Sequence, residues 1–176
     1  GWLMFPVIEW GGKVVAFSGG VLGDGEPKYL NSPDTPVFSK SHNLFGLNLA
    51  KKSKAGYIIL VEGNVDVVSL HQAGFDSAVA SLGTALTNEQ AGLISRFVKQ
   101  VVICYDADAA GKKAAQRAIP MLERVGLGVK VVTVPGAKDP DEFNKSKGAE
   151  AFRAPIEERE NGQGYRLQPA ADGLDL

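Results

Sequence analysis

The 176-residue chain has a single cysteine, Cys104, and only two histidines, His42 and His71. One thiol excludes an internal disulfide framework. These three side chains cannot assemble a structural zinc site, which takes four ligands drawn from cysteine and histidine. Net charge is almost absent as well, since 19 Lys+Arg stand against 20 Asp+Glu. That balance excludes a strongly basic domain but not a locally basic groove. Long apolar runs are also missing. Residues 1–8 and 57–61 carry the longest ones, well short of the roughly 18 residues a membrane helix needs, so no membrane association is expected. Neither an initiator Met nor a basic stretch before an apolar core opens the chain, so it reads as a fragment of something longer, without a signal peptide. A reducing, cytoplasmic setting is the expectation. The composition, 44% hydrophobic and 22% charged, is that of a globular chain of one domain, or one domain plus a piece of another. Glycine is abundant at 21 residues, against an average of about 7%, as tight strand–helix turns would require.

The pattern divides the chain at about residues 46 and 150. Residues 1–46 are β-like, with a hairpin expected where Gly11-Gly12 separates two apolar runs. Residues 47–150 alternate strand and helix. Strands are expected over 57–61, 77–80, 101–105 and 129–134. A helix over 64–73 would present Val65, Val68 and Gln72 on one face and stop at Gly74. Thr87 and Gln90 have the form of a capping box. The helix they open would turn Ala91, Ile94, Phe97 and Val98 inward. A helix over 109–125 would carry the stripe Ala110, Ala114, Ala118, Leu122 and Val125, with Pro120 kinking or interrupting it. Continuous apolar strands of this kind are buried on both faces and imply an α/β fold with a mostly parallel sheet flanked by helices. Beyond residue 150 the pattern is lost, and Pro155 disfavours a long helix.

Ligands collect at the carboxyl ends of such strands, and three acidic groups fall there. Glu62 follows the first strand, with Asp66 one turn later; Asp106 and Asp108 follow the third; Asp139 and Asp141 follow the fourth. Residues i and i+2 of an extended segment share a side, so Asp106 and Asp108 can address one point. Converging carboxylates repel one another unless a hard cation such as Mg²⁺ joins them, with Mn²⁺ able to substitute. Metal-assisted phosphoryl transfer is the chemistry this predicts. Each acid singly has a simpler reading as a helix cap. The segment Ser81-Leu82-Gly83-Thr84 is either a phosphate cradle or a tight turn. His71 reads as a surface residue, Cys104 as a small core residue, and the cluster Lys51, Lys52 and Lys54 as a solvated face.

The string from Val61 through Val68, followed by Tyr105-Asp106-Ala107-Asp108-Ala109-Ala110-Gly111, resembles the Toprim domain of primases, topoisomerases and some nucleases. Among these, the segment from Pro27 to Pro33, then Phe38-Ser39-Lys40, Leu44-Phe45-Gly46-Leu47, the stretch from Ala80 to Thr87, and Asp139-Pro140-Asp141 resemble the bacterial (DnaG-type) DNA primases. The resemblance implies that residues 1–46 are the C-terminal part of the N-terminal polymerase lobe and 47–150 a Toprim domain, with 151–176 an irregular tail or the start of a helical subdomain. It implies a DNA-dependent RNA polymerase making short RNA primers on a single-stranded DNA template from ribonucleoside triphosphates. Glu62, Asp106 and Asp108 would be catalytic and bind Mg²⁺, with Asp66, Asp139 and Asp141 lining the same metal site. Lys28, Tyr29 and Asn31 would bind nucleotide or template. The family's zinc-binding segment and its helicase-binding C-terminal region have no counterpart in these residues. Two positions depart from the family pattern: Gly20 stands where an Arg is usual, and Asn64 where a bulkier residue is. The alternatives are a Toprim nuclease or topoisomerase-like strand-cleaving protein, and a non-catalytic DNA-binding Toprim module.

Overall fold

The computed structural model describes residues 1–27, 29–134 and 136–157. Lys28 and residues 158–176, on which part of the sequence reading falls, lie outside the described residues. Two sheets form the frame. The first is antiparallel, ordered β1 (Trp2–Ile8), β2 (Val14–Val21), β3 (Tyr29–Asn31). β1 and β2 make the expected hairpin, with Phe5 opposite Ser18 and Val7 opposite Ala16. Alternation along the strands turns Phe5, Val7, Ala16 and Ser18 inward and leaves Trp2, Met4, Phe17 and Leu30 exposed.

The second sheet is parallel and four-stranded, ordered β5 (Ala78–Ala80), β4 (Tyr57–Val61), β6 (Gln100–Ile103), β7 (Gly128–Val131). Ile58 to Val61 and Val101 to Ile103 are buried along their whole run, because helices cover both faces. One face packs with α1 (Leu47–Ala50), α3 (Asn88–Ser95) and α4 (Ala109–Arg124) around Leu47, Ile58, Leu60, Ile94, Ile103 and Leu122. The other packs with α2 (Asn64–Gln72), α5 (Pro140–Lys147) and α6 (Ala149–Glu157) around Ile59, Val61, Leu70, Phe143 and Phe152.

Several local expectations need correction. Pro120 lies inside α4 without interrupting it. Pro120 and Gln116, whose carbonyl loses its i+4 donor, are both exposed, so water can satisfy that oxygen. The buried stripe of α4 is Gly111, Ala115, Ala118 and Leu122, so Ala110 and Val125 stay exposed and Ala114 is half-buried. In α2 the inward residues are Asn64, Asp66, Val67, Ser69 and Leu70, while Val65 and Val68 face out. The helix buries polar groups because α5 packs on it, with the Asn144 amide at 3.4 Å from the Ser69 hydroxyl. β7 ends at Val131, three residues before the expected limit of 134, although Val132 and Val134 remain buried. The stretch from 149 to 157 is helical and not patternless: Phe152 and Ile156, four apart, bury one face, with Pro155 inside the helix.

The two sheets are joined by side chains. Asn64 Nδ2 donates to Ser18 Oγ at 2.8 Å, with both residues buried. Phe5 meets Phe45 edge to face at 6.0 Å between centroids. The capping box of α3 forms, with Thr87 Oγ1 accepting from the Gln90 amide at 3.1 Å and Gln90 Oε1 accepting from the Thr87 amide at 3.0 Å. Gln90 Nε2 also donates to the carbonyls of Lys40 and Asn43 at 3.0 and 2.8 Å.

Candidate functional site

A cleft of about 810 Å³ opens between the first sheet and the carboxyl ends of the parallel strands. Glu62, Asp66, Asp106, Asp139, Asp141 and Tyr29 line it. Each arrives by a short route from a strand end. Glu62 follows β4, and its Oε1 accepts the Asp106 backbone amide at 3.0 Å. This bond ties the ends of two neighbouring strands. Asp66 is fixed in the first turn of α2, where its Oδ1 accepts the Asp141 amide at 3.0 Å. The Ala107 amide donates to the Lys138 carbonyl at 3.0 Å, which brings the loop after β6 against the segment that opens α5.

The cap reading and the site reading divide the acids between them. Asp108 Oδ1 caps α4, accepting from the Gly111 amide at 2.7 Å. Asp139 Oδ1 caps α5, accepting from the Glu142 amide at 2.8 Å, with Pro140 in the first turn. Asp106 and Asp141 are not caps. Asp106 Oδ1 and Asp141 Oδ1 are buried and make no hydrogen bond, although Asp141 Oδ2 pairs with the exposed Lys145 at 2.7 Å.

The electrostatics follow from this crowding. Burial first, then the neighbouring carboxylates of Asp139, Asp106 and Asp141, push Asp66 up to about 7, against the opposing Asp141 amide. Burial, then Glu62, Asp139 and Asp108, push Asp106 up to about 6, with Lys138 opposing. Glu62 is raised by burial and by Asp108, against the Asp106 amide. Tyr29 is raised by burial and then by Asp66, Asp139, Asp106 and Asp141, so its phenol shares the field of the cluster. Carboxylates that resist ionising together leave a deficit of positive charge. Two orphaned buried oxygens and an all-oxygen donor set fit a hard divalent cation that keeps water and phosphate ligands. Among the described residues no group of three or more His, Cys, Asp or Glu side chains is already placed to hold a metal ion.

The remaining candidates are placed as follows. Asn31 lies over Gly83, where an added Cβ would overlap its amide, and Gly83 has a φ of +69°. Ser81 Oγ donates to the Thr84 carbonyl at 2.7 Å, closing that segment as a turn. Ser81, Gly83 and Thr84 nonetheless line the cleft. His71 Nε2 donates to the Ala78 carbonyl at 2.9 Å, a structural bond. Cys104 is buried, with its thiol pushed up to about 12 by burial, as befits a core residue. At Gly20 an added Cβ would find ordinary contacts, 3.5 Å to Phe5 and 3.6 Å to Tyr29, so no steric demand fixes glycine there.

Two features escaped the sequence reading. Gly111, in the first turn of α4, has no room for a Cβ: one would overlap the Asp106 carbonyl and lie 2.9 Å from Glu62 Oε1. Glycine in a helix costs roughly 0.5–1 kcal/mol relative to alanine, and that local cost was the available signal. The second feature is the flank of α4, where Ala110, Ala114, Arg117 and Met121 extend the cleft wall.

Residues 1–51 match the family described as the DNA primase catalytic core, N-terminal domain, and residues 59–144 match the Toprim-like family. The chain is 47% identical to a DNA primase of Clostridium acetobutylicum over 175 residues, covering 99% of this chain and 29% of that protein. Its structure resembles the zinc-binding and RNA polymerase domains of the Aquifex aeolicus primase, with a TM-score of 0.84 and 46% identity over 89% of this chain and 40% of that one. It also resembles a DnaG primase catalytic domain bound to ssDNA, with a TM-score of 0.81 and 40% identity over 89% of this chain and 51% of that one. The chain therefore spans under a third of the Clostridium relative and about half of the ssDNA-bound catalytic domain.

Proposed function

The chain belongs to the bacterial DnaG-type DNA primases and carries part of their catalytic core, and from that premise we propose that its cleft performs the nucleotidyl transfer that makes short RNA primers on single-stranded DNA. The observation that carries this reading is the pair of orphaned carboxylate oxygens on Asp106 and Asp141, two residues that line the cleft together with Tyr29 of the first sheet. A strand-cleaving Toprim protein is not favoured, because the first 51 residues match a domain described as part of the primase core.

Glu62, Asp106 and Asp108 would hold Mg²⁺, with Asp66, Asp139 and Asp141 lining the same pocket. When bound, the ion would polarise the α-phosphate of the incoming ribonucleotide and lower the pKa of the primer 3′-hydroxyl. The chain's own residues prepare the place. Glu62 is oriented by the Asp106 amide, so one carboxylate oxygen is fixed and the other is left for a ligand. Asp108 spends one oxygen on the α4 cap and keeps the second. Asp66 receives the Asp141 amide and holds the α5 end against the cluster. Tyr29 and Asn31 would contact nucleotide or template from β3, and Lys28 would contribute its charge beside them. A replicative helicase is a further expected partner.

The test is incorporation of labelled ribonucleotides on a single-stranded DNA template with Mg²⁺, comparing this chain with its Asp106→Asn variant. Short labelled RNA from the parent, reduced at least about 100-fold in the variant, is expected if removing one charged ligand costs several kcal/mol of transition-state stabilisation. Metal-dependent nicking of the template without ribonucleotides would overturn the reading.

A further inference from the structure

The cleft continues beyond the carboxylates. Because α4 buries Gly111, Ala115, Ala118 and Leu122, its flank offers Ala114, Arg117 and Met121 to the cleft, and Ala118 is reached at the crevice floor. Thr84 and Leu86, from the loop before α3, also line the cleft. Arg117 lies roughly 12 Å along the helix from Ala109, at about 1.5 Å per residue, while the acids cluster near the N-terminal end.

Arg117 is the one cation among the described residues that line this cleft; the other ionisable lining groups are Tyr29, Tyr105 and the carboxylates of Glu62, Asp66, Asp106, Asp139 and Asp141. Its side chain is exposed, and among the described residues no hydrogen bond, ion pair or ring contact engages it. None of the ion pairs among the described residues joins it to a carboxylate. The half-buried Ala114 and Met121 flank it on the same helix, over the buried Leu86 and Ala118. A free guanidinium bordering an apolar floor matches the two halves of a nucleotide. Guanidinium binds phosphate in bidentate fashion, and base faces seek apolar surface while the backbone tracks positive charge.

We propose that this crevice is a polynucleotide subsite, in which Arg117 takes a backbone phosphate and Ala114 and Met121 receive a base. The roughly 12 Å rise along α4 from Ala109 to Arg117 corresponds to about three stacked nucleotides at ~3.4 Å each, so the contact is assigned to the strand and not to the triphosphate under attack. This inference rests on the nucleotidyl-transfer reading of the same cleft.

The test uses this chain and a labelled single-stranded DNA oligonucleotide, with affinity read by fluorescence anisotropy across a KCl series. Arg117→Gln should weaken binding about three- to ten-fold and lower the slope of log K against log salt by about 0.7. Arg117→Lys should recover most of that slope. Arg124→Gln removes the same charge from the same helix but lies outside the cleft, and should change both quantities little. Equal behaviour of Arg117→Gln and Arg124→Gln, with a parent that binds DNA, overturns the subsite and leaves the primase reading intact. A parent that binds neither the oligonucleotide nor Mg²⁺-ribonucleotide overturns both. Loss of ribonucleotide affinity alone in Arg117→Gln overturns the strand assignment.

Discussion

Asp66 carries the largest unfavourable charge burden of the cluster. It is buried and sits among Asp139, Asp106 and Asp141. Its folded pKa, raised to about 7, lies above the unfolded value. The folded state therefore holds a proton that the unfolded state has released, between about pH 4 and pH 7. Stability contributed by this site is highest below pH 4, falls as pH rises, and reaches its minimum above pH 7. Asp66→Asn keeps an oxygen for the Asp141 amide and removes the charge. Without divalent cations at pH 8, the variant should melt several degrees above the parent, at about 2–4 °C per kcal/mol for a chain of this size, and the gap should close near pH 4. Thermal melts at the two pH values check this, and equal melting at pH 8 would show that the cluster carries no such penalty. Gly111 makes the opposite point about space. Gly111→Ala must push back the Asp106 carbonyl or Glu62. A cost of about 1–3 kcal/mol is expected from overpacking, with weaker Mg²⁺ binding by calorimetric titration. A variant that melts and binds as the parent does would remove Gly111 from the site.

At the scale of elements, strand burial was legible because continuous apolar runs have few other fates. Helix faces were less so. In α2 the apolar residues Val65 and Val68 point outward while Asn64, Asp66 and Ser69 are buried, since the site and α5 recruit polar partners that periodicity counts as surface. In α4 alanines stand in adjacent pairs at 109/110 and 114/115, so a register offset of one residue was invisible in the pattern. The capping box was legible because it is local: Thr87 and Gln90 satisfy each other's amides three residues apart. What the sequence could not display is that Gln90 also reaches the carbonyls of Lys40 and Asn43, some fifty residues away in the chain. Two substitutions weigh these bonds. Thr87→Ala removes the cap and the hydroxyl that donates to the Ser41 carbonyl at 2.6 Å, and should cost about 1–2 kcal/mol. Gln90→Leu should cost more, about 2–3 kcal/mol, because two carbonyls lose their donor within a packed region. Urea unfolding measures both, and an equal cost would mean that the Gln90 bonds to Lys40 and Asn43 add nothing beyond the Ser41 bond.

At the scale of the molecule, the acids could be assigned to strand ends from the sequence, but their division into caps and free oxygens could not. That division depends on where α4 and α5 begin and on the Ala107–Lys138 contact between two loops. The wall opposite the acids was less legible still, because it comes from a separate sheet. Ser18 of β2 and Asn64 of α2 are 46 positions apart, and their buried bond at 2.8 Å is one of the links that set the cleft's width. Asn64 thus has a structural role, since its amide needs an acceptor and Ser18 supplies it. A double-mutant cycle of Ser18→Ala and Asn64→Ala should give a coupling of about 1 kcal/mol, the usual net worth of a buried neutral bond. The two tryptophans, Trp2 and Trp10, both belong to the N-terminal hairpin, whereas the longer helices belong to the parallel-sheet half. Trp2 therefore reports the hairpin, Trp10, whose ring lies under Lys51 and Arg96 of the other half, reports the junction, and circular dichroism at helical wavelengths reports mainly the parallel-sheet half. If the two sheets fold as one unit, both probes should give a single coincident transition in the parent and in each variant, shifted together by the lost bond. A fluorescence transition that separates from the helical one in the parent would show that the cleft's two walls move independently, and the fixed geometry argued for Tyr29 against the carboxylates would then fail.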